Sequence, residues 1–343
     1  MKAAVMERMG EPLNIGGAPD PALGSTEVLI RVRACGICRT DLHILDGWMK
    51  AWFGLDPFPL IPGHEVAGEV AEVGSEVTAY KPGDRVVAFY LYTCGQCRYC
   101  LSGQEQTCQT LFTGFTASGF NIDGGYAEYM VLPERNVTPL PDGLDFETAA
   151  PLVCGGLTAY GALKNARVRP STRVAVLGIG GIGHVAIQIA DAMGAEVTAI
   201  TGAEDKAELA RKLGADDVIV GRDDVGAQLR ARGGADVVVS TTVDPKTLGQ
   251  MIQGVLPRGS LVIIGLTPPG EPAISIEPGA VLFGQQRITG NLMGSRWDLR
   301  ELLELAQRNN ISPMSEIYPL EDVNEAHERV RNVDVRFRAV LVP

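Results

Sequence analysis

Four closely spaced cysteines constrain this chain more than any other feature of its sequence. Cys94, Cys97, Cys100 and Cys108 follow the pattern C-x2-C-x2-C-x7-C. A loop with this spacing can wrap one Zn²⁺ ion with four thiolates, which is the closed tetrahedral geometry of a structural zinc site. The chain has seven cysteines, and in a reducing compartment so tight a cluster is better explained by metal ligation than by disulfide bonds. The pattern therefore predicts a structural zinc site.

Length and composition indicate a globular protein with about two domains. The chain has 343 residues, of which 45% are hydrophobic and 21% are charged. No uninterrupted apolar stretch is long enough to cross a bilayer, and the first residues lack the pattern of a signal peptide, so we expect a cytoplasmic protein without membrane attachment. The net charge of −11 argues against nucleic acid as a partner, because phosphate binding needs clustered lysines and arginines.

The pattern of strands and helices changes after Pro151. Residues 1–148 contain short β-branched runs separated by turns rich in Gly and Pro, which predicts a β-rich domain. In residues 149–291 short apolar strands alternate with segments of helical spacing, which predicts an α/β domain with a doubly wound parallel sheet. Residues 292–343 begin with an amphipathic segment and end in an apolar strand, and we expect them to return to the first domain.

A glycine-rich turn lies between a predicted strand and a predicted helix. Gly178, Gly180 and Gly183 form the pattern G-x-G-x-x-G, with a further glycine at Gly181. Gly178 permits the tight turn, Gly180 lets the backbone approach a pyrophosphate, and Gly183 allows close contact of helix and strand. The N-terminus of the following helix favours the negative charge. The motif predicts a dinucleotide-binding site in a Rossmann domain.

The residue that handles the adenosine ribose should follow the second strand, about 20 residues after the glycines. Thr201 stands there, where an enzyme that uses NAD usually has Asp or Glu. A hydroxyl suits either a 2′-OH or a 2′-phosphate, and Lys206 could supply positive charge. Glu204 and Asp205 would repel a phosphate unless they point away, as acids at a helix N-terminus often do. The sequence thus leaves both cofactors open and favours NADP(H) slightly.

Further motifs carry a resemblance to a known family. They are GICRTDLH at Gly36–His43, the tripeptide GHE at residues 63–65, and VCGGLT at Val153–Thr158. With these motifs and the four-cysteine loop, the chain resembles the zinc-containing medium-chain alcohol dehydrogenases over essentially its whole length. The resemblance implies a GroES-like catalytic domain, formed by residues 1–148 and 292–343, beside the Rossmann domain. It also implies reversible hydride transfer between a primary or secondary alcohol and NAD(P)⁺, which gives an aldehyde or ketone.

The same resemblance implies two zinc ions per subunit, one structural and one catalytic. The catalytic ion would be bound by Cys38, His64 and Cys154, with Glu65 as an adjacent or alternating ligand. Two thiolates and one imidazole leave a fourth position open for water or alcohol, and the ion lowers the pKa of the alcohol. Asp41 would accept the second ring N–H of His64 and thereby orient the imidazole.

The remaining implied roles concern the proton and the cofactor. Thr40 would bond the alkoxide oxygen, and the proton would pass through the nicotinamide ribose to His43. A histidine suits this step because its ordinary pKa lies near neutrality. Arg39 and Arg296 would contact the cofactor pyrophosphate.

Several other residues have either a functional or a packing interpretation. Trp48, Trp52 and Tyr90 are candidates for the wall of the substrate pocket, and core or interface packing is an equal alternative for each. Cys35 forms a C-x2-C pair with Cys38, but we expect it to be a small buried residue. We expect His327, in a late helix, to serve packing or to lie at the surface.

Three alternatives remain beside an alcohol dehydrogenase of general type. A polyol or cinnamyl-type dehydrogenase would share every motif and differ in the pocket. A specialised NADPH-dependent carbonyl or double-bond reductase without catalytic zinc is opposed by the intact ligand set, and a non-enzymatic zinc protein is opposed by the glycine motif. Analogy with the family predicts a homotetramer, or alternatively a homodimer, that assembles through the segment from Leu282 to Met293.

Overall fold

Short strands dominate the first part of the chain in the computed structural model, which describes residues 1–268, 270 and 273–343. The strands of this part are β1 (Lys2–Val5), β2 (Asn14–Gly17), β3 (Glu27–Ile37), β4 (Glu65–Val73), β5 (Arg85–Ala88), β6 (Tyr129–Pro133) and β7 (Val137–Pro139). The helices are α1 (Arg39–Leu45), α2 (Trp48–Phe53), α3 (Arg98–Leu101), α4 (Gln109–Thr113) and α5 (Phe146–Pro151). Short 3₁₀ turns at Glu105–Thr107 and Glu134–Asn136 connect some of these elements.

Strands and helices alternate in the next part of the chain. The strands are β8 (Arg173–Leu177), β9 (Glu196–Thr201), β10 (Asp217–Val220), β11 (Ala235–Ser240), β12 (Val255–Ile263) and β13 (Arg287–Gly290). The helices are α6 (Leu157–Asn165), α7 (Gly183–Ala192), α8 (Ala207–Lys212), α9 (Val225–Ala231), α10 (Pro245–Met251) and α11 (Pro278–Gly284). A π-helical segment at Leu152–Gly156 precedes α6.

The last part of the chain contains α12 (Arg296–Asn309), β14 (Ser315–Pro319), α13 (Val323–Arg331) and β15 (Arg338–Val342). The chain divides into two compact units. The first unit contains Met1–Cys154, Ser295–Arg308 and Ser312–Pro343, and the second contains Gly155–Gly294 and Asn309–Ile311. Within the described ranges, no helix has both the length and the apolar character that a membrane span requires.

Strand β3 is central to the main sheet of the first unit. The strand order of this sheet is β14-β15-β3-β4-β5-β7, and β6 also pairs with β3. β3 alternates buried Val28, Ile30 and Val32 with more exposed residues, which is the pattern of a strand with one face in a core. β15 pairs antiparallel with the end of β3, so the C-terminal strand lies in the same sheet as the N-terminal strands.

The sheet of the second unit consists of parallel strands. Its order is β10-β9-β8-β11-β12-β13, the doubly wound order of a Rossmann domain. The order of connections reverses between β8 and β11, and ligands bind at the carboxyl ends of strands at such a switch point. Gly178 directly follows β8 and therefore lies at this point. The predicted doubly wound α/β fold is confirmed for this unit.

The hydrophobic core of the second unit holds the carboxyl ends of its strands in place. Leu177, Ile200, Ile219, Val238 and Leu261, from five neighbouring strands, are buried together. Burying a side chain of this size stabilises the fold by about 1.5–3 kcal/mol. The loops that follow these strands are thus attached to a rigid base.

Candidate metal centres and nucleotide site

The four cysteines of the loop between β5 and β6 bring their sulfur atoms together. The Sγ–Sγ distances are 3.5 Å for Cys94–Cys108, 3.6 Å for Cys97–Cys100, 3.8 Å for Cys97–Cys108 and 3.9 Å for Cys94–Cys100. Four sulfurs at about 2.3 Å from a tetrahedral zinc ion lie about 3.8 Å apart. All four thiols are free of disulfides. The residues therefore fit a zinc ion in both chemistry and spacing.

Hydrogen-bond donors in this loop point at the sulfur atoms. The backbone N–H of Cys97 donates to Sγ of Cys94, and that of Cys94 donates to Sγ of Cys108, both at 3.3 Å. The Thr110 hydroxyl lies 3.1 Å from Sγ of Cys108. Burial works against ionisation of Cys108, yet these donors outweigh it and lower its pKa to about 6. These donors thus favour the thiolate of Cys108, which is the form that binds metal.

A second cluster of metal-ligating side chains lies in the first unit. Cys38, His64, Glu65 and Cys154 are all buried, and one donor atom from each lies within 4.8 Å of the others. Cys38 follows β3 and caps α1, whereas His64 and Glu65 stand at the start of β4. Cys154 lies in the π-helical segment, a rare conformation that often occurs at functional sites.

The imidazole of His64 provides the test of whether a metal fits this cluster. Nδ1 lies 3.2 Å from Oδ1 of Asp41; burial opposes protonation of the ring, but Asp41 outweighs burial and raises the pKa of His64 well above its ordinary value. Metal binding would displace the proton on Nε2 and leave the Nδ1–H donating to Asp41. Within the described part of the chain, this buried Nε2 has no hydrogen-bond partner. Leaving a buried polar atom unsatisfied costs about 1–3 kcal/mol, and coordination to a metal would satisfy it. The donor set of two thiols, one imidazole and one carboxylate suits zinc.

A buried hydrogen-bond network supports Asp41, the partner of Nδ1 of His64. Oδ2 of Asp41 accepts the backbone N–H of Cys38 at 2.8 Å and the hydroxyl of Tyr126 at 3.1 Å. Nε2 of His327 lies 3.3 Å from the Tyr126 hydroxyl. Burial lowers the pKa of His327 to about 4, so the ring is neutral and its Nε2–H donates to Tyr126. The network fixes the orientation in which Asp41 holds His64.

The ring of Tyr126 also packs on the backbone next to His64. Gly63 has a positive φ of 93°, and a Cβ atom there would lie 2.3 Å from Cδ1 of Tyr126. Gly63 is therefore required both by its conformation and by the ring. The sequence motifs did not point to Tyr126, and they left His327 as a packing or surface residue.

Glu65 is neutralised by an arginine from the end of the chain. Its carboxylate forms a buried ion pair with Arg338 of β15. Burial raises the pKa of Glu65 to about 7, against the opposite effect of Arg338. The second oxygen, Oε1, has no hydrogen-bond partner among the described residues. Glu65 thus has one oxygen held by Arg338 and one available to a metal.

The two predicted proton-transfer residues lie on α1. Oγ1 of Thr40 is 3.5 Å from Sγ of Cys38. The ring of His43 stacks on Trp48, with centroids 3.7 Å apart and an angle of 3° between the planes. Burial lowers the pKa of His43 below its ordinary value. The structure therefore brings Thr40 to the cluster and keeps His43 neutral at pH 7.

Arg39 and Arg296 make hydrogen bonds within the first unit. Arg39 donates to two backbone carbonyls of α13, at 3.0 and 3.1 Å. Arg296 pairs with Glu105 at 2.9 Å and donates to the carbonyl of Arg135 at 2.7 Å. Their contacts with a cofactor pyrophosphate stay predictions.

The glycine motif borders a cavity of about 330 Å³ in the second unit. Gly178 has a φ of 92°, and a Cβ on Gly183 would lie 1.9 Å from its carbonyl oxygen. Gly180 has open space where a Cβ would lie, and Gly181 is partly exposed in the same turn. The turn thus offers bare backbone at the switch point of the sheet, as dinucleotide binding requires.

Two cations and a hydroxyl also line this cavity. The hydroxyl of Thr201 accepts a hydrogen bond from a backbone N–H two residues further on, at 3.2 Å. Nζ of Lys206 donates to the carbonyl of Ile179 at 3.0 Å. Arg222, in the loop after β10, also lines the cavity, and a Cβ on Gly202 would lie 2.6 Å from its Nε. The motifs did not indicate Arg222, although a basic residue just after the third strand of a Rossmann sheet was a usable signal.

Comparison with known proteins identifies the family. A model described as alcohol dehydrogenase GroES-like domain matches residues 24–142, and one described as zinc-binding dehydrogenase matches residues 181–308. An alcohol dehydrogenase of Geobacillus stearothermophilus is 42% identical over 344 residues, which cover 99% of each chain. The chain belongs to the zinc-type medium-chain alcohol dehydrogenase family.

Other members of this family extend the comparison. The solved alcohol dehydrogenase of Aeropyrum pernix superposes on this dehydrogenase with a TM-score of 0.89 and 33% identity, over 100% of both chains. A probable cinnamyl alcohol dehydrogenase of Populus deltoides is 36% identical over 324 residues, or 93% of this chain and 88% of that protein. The predicted combination of GroES-like and Rossmann-type domains is confirmed. The dehydrogenase is an oxidoreductase that uses zinc and a nicotinamide cofactor.

Proposed function

We propose that this dehydrogenase interconverts primary or secondary alcohols with aldehydes or ketones at a catalytic zinc ion held by Cys38, His64 and Cys154. The observation that carries the proposal is the buried Nε2 of His64, which lacks a hydrogen-bond partner among the described residues and belongs to a cluster with two thiols. When bound, zinc lowers the pKa of an alcohol and the nicotinamide accepts the hydride.

Thr40 holds the substrate oxygen in this proposal. Its hydroxyl lies 3.5 Å from Sγ of the ligand Cys38, and in this proposal it donates to the substrate oxygen. His43 lies one turn further along α1 and is neutral at pH 7, because burial lowers its pKa. A neutral imidazole can accept the proton that leaves the alcohol and deliver it to solvent.

Glu65 acts as an adjacent, alternating ligand, and Asp41 orients His64. Oε1 of Glu65 is free of hydrogen bonds in the described structure while the other oxygen stays with Arg338. Asp41 holds the Nδ1 proton of His64 and directs Nε2 to the metal.

A second, structural zinc ion completes the proposed metal content at two per subunit. Its ligands are the four cysteines of the loop, Cys94, Cys97, Cys100 and Cys108, which show tetrahedral spacing. A site with four protein ligands has no open position, so it stabilises the loop and takes no part in the reaction.

The cofactor is proposed to be NADP(H), bound with its pyrophosphate at Gly178, Gly180, Gly181 and Gly183. Thr201 replaces the carboxylate that would repel a 2′-phosphate, and Lys206 and Arg222 both line the cavity. Asp244 lines it as well, but its carboxylate accepts hydrogen bonds from Thr247 and caps α10. The cavity thus has two cations and one carboxylate that is already hydrogen-bonded to Thr247, and this balance of charge favours the cofactor that carries a 2′-phosphate.

Self-association is proposed to occur through the edge strand β13, to give a homotetramer or a homodimer. Leu282, Phe283 and Leu292, next to this edge, leave most of their apolar surface exposed, and Phe283 is 88% exposed. Apolar side chains beside the outer edge of an edge strand are typical of an interface. A Phe283→Asp variant should therefore have a lower mass in light scattering, and an unchanged mass would exclude this edge. None of the seven cysteines forms a disulfide, which agrees with a reducing, cytoplasmic location.

The decisive experiment measures nicotinamide absorbance with NAD⁺ and NADP⁺ in parallel, across primary, secondary, benzylic and polyol alcohols. The proposal expects turnover that a chelator abolishes and zinc restores, and two zinc ions per subunit by elemental analysis. Cys38→Ser should remove turnover and one zinc ion while the protein stays folded. Turnover that survives complete loss of this zinc ion would overturn the proposal and favour a zinc-independent reductase.

A further inference from the structure

His184 is a buried histidine that takes no part in the proposed metal sites or in proton transfer. It directly follows Gly183, in the first turn of α7, and the residue is 0% exposed. Its Nδ1 lies 2.8 Å from the carbonyl oxygen of Gly180. Since a carbonyl oxygen can only accept a hydrogen bond, Nδ1 carries the proton and donates it. The ring is therefore bonded to the backbone of the proposed cofactor site.

The bond from His184 fixes the orientation of the peptide group between Gly180 and Gly181. The carbonyl of Gly180 also accepts the backbone N–H of His184 at 3.2 Å, so it points along α7 toward the C-terminus of the helix. In a planar trans peptide such as this one, the N–H points opposite to the C=O. The N–H of Gly181 is thus directed out of the N-terminus of α7, where the first N–H groups of a helix bind anions.

Two neighbouring carbonyls of the glycine turn are held by side chains of other elements. The hydroxyl of Thr241, in the loop after β11, donates to the carbonyl of Gly178 at 3.1 Å. Nζ of Lys206 donates to the carbonyl of Ile179 at 3.0 Å. Three consecutive carbonyls are therefore bonded to side-chain donors. Because a carbonyl oxygen carries partial negative charge and would repel a pyrophosphate, this arrangement favours a turn that presents its N–H groups to the ligand.

Side-chain packing does not restrain this turn at its centre. A Cβ atom on Gly180 would have no neighbour within 4 Å. Glycine also loses more conformational freedom on ordering than any other residue, so two successive glycines are costly to fix in one orientation. The hydrogen bond from His184 orders them before the ligand arrives, which reduces the entropy lost on binding.

We propose that His184 is a positioning residue of the cofactor site, which holds the carbonyl of Gly180 so that the glycine turn is preorganised for the pyrophosphate. The inference rests on the proposed function, since it takes this turn as the pyrophosphate site. His184 acts through the backbone and touches neither cofactor nor substrate. Its loss should therefore weaken ligands that contain a pyrophosphate and spare ligands that lack one.

Titration calorimetry on the zinc-loaded enzyme tests this selectivity with two ligands. ADP-ribose contains adenosine and a pyrophosphate, whereas adenosine alone contains no phosphate. Loss of one buried hydrogen bond should make His184→Leu bind ADP-ribose about three- to tenfold more weakly and leave adenosine unchanged. His184→Asn should recover most of the affinity, because its amide nitrogen takes the position of Nδ1 and can donate to Gly180. In turnover, His184→Leu should raise KM for the cofactor and leave kcat nearly unchanged.

Gln286→Leu is the matched control. The amide of Gln286 donates to the carbonyls of Ile252 and Val255, at 3.1 and 2.6 Å, in the same unit and outside the glycine turn. This variant also loses bonds from a side chain to the backbone, and its affinity for ADP-ribose should not change. His184→Phe keeps a ring without the N–H, so it should match His184→Leu and keeps the test decisive if one of the two does not fold.

Hydrogen exchange of the ligand-free enzyme gives a second readout that needs no cofactor. The backbone amides of residues 179–183 should exchange faster in His184→Leu, because the turn loses a restraint, and at the original rate in His184→Asn. An unchanged rate in His184→Leu would overturn the inference.

The outcomes separate this inference from the proposed function. Equal weakening of ADP-ribose and adenosine in His184→Leu would assign the ring to packing, and the inference would be wrong. Failure of His184→Asn to recover the affinity would exclude the hydrogen bond as the cause. If the unmodified enzyme did not bind ADP-ribose, the glycine turn would not be the cofactor site, and the proposed function itself would be overturned.

Discussion

Replacing Tyr126 by phenylalanine removes one hydroxyl group from the network behind His64. This hydroxyl donates to Asp41 at 3.1 Å and accepts from His327 at 3.3 Å, and the three side chains are buried. The phenyl ring keeps its packing against Gly63. The substitution therefore changes the hydrogen bonds of Asp41 and leaves the shape of the core as it was.

The size of the expected loss in metal affinity follows from the hydrogen bonds that Asp41 retains. A hydrogen bond to a charged acceptor contributes about 1.5–3 kcal/mol. Asp41 keeps the bonds from His64 and from the backbone of Cys38, so we expect the lower part of this range, about 1.5–2 kcal/mol, to appear as weaker metal binding. At about 1.4 kcal/mol per factor of ten, this is about 10- to 30-fold, within the roughly 10- to 100-fold typical of outer partners of a metal ligand.

Zinc release to an excess of a coloured chelator measures this effect. Two proposed zinc ions per subunit should give two kinetic phases, and the catalytic phase is the one that Cys38→Ser removes. Tyr126→Phe should accelerate this phase about 10- to 30-fold, while the phase of the four-cysteine site serves as an internal control. Tyr80→Phe is the matched variant, because its hydroxyl donates to the carbonyl of Val137 at 2.7 Å, outside the network. An unchanged catalytic phase in Tyr126→Phe would refute a supporting role for the hydroxyl.

Three further predictions concern the loop, the cofactor and pH. Cys97→Ser should lower the melting temperature by about 5–10 °C; calorimetry checks this, and an unchanged value would contradict a structural site. Arg222→Gln should weaken binding of 2′,5′-ADP about tenfold and leave 5′-AMP unchanged in calorimetry; equal effects on both would place Arg222 away from the 2′-phosphate. The pKa of His327 is about 4 because burial disfavours its charged form, with Asp41 opposing and Arg331 reinforcing the shift. Below pH 6.5 the unfolded chain therefore binds more protons than the folded protein, and His327 lowers the free energy of unfolding by up to about 3 kcal/mol as pH falls from 6.5 to 4. Denaturant unfolding of His327→Gln should show a smaller loss of this free energy over the same pH range.

Features encoded by short spacings were predictable from the sequence. The four-cysteine loop and the glycine turn each lie within one short segment of the chain, so their chemistry and their local backbone could be inferred together. The doubly wound sheet followed from alternating strands and helices, since only a few connections of this kind are stable. The cluster of Cys38, His64 and Cys154 needed the resemblance to a family, because no local rule brings three distant segments together.

The partners of this cluster were beyond prediction for the same reason. Arg338 is 273 residues from Glu65, His327 is 201 residues from Tyr126, and Tyr126 is 85 residues from Asp41. Such pairs arise from sheet register and helix packing, which single-residue patterns do not specify. Aromatic residues such as Trp48 and Trp52 were equally ambiguous, because pocket walls and cores use the same side chains.

The ion pair between Glu65 and Arg338 has a consequence for how the protein is made. The second unit uses one nearly uninterrupted stretch of chain, whereas the first unit combines both ends of the polypeptide. A ribosome releases Glu65 long before Arg338, and a buried carboxylate without its counter-ion destabilises a fold by several kcal/mol. The nucleotide unit can therefore fold during translation, while the proposed catalytic metal centre matures only once the last strand has emerged. The metal then binds only after the whole polypeptide has been synthesised, and a nascent chain does not form an incomplete reactive site.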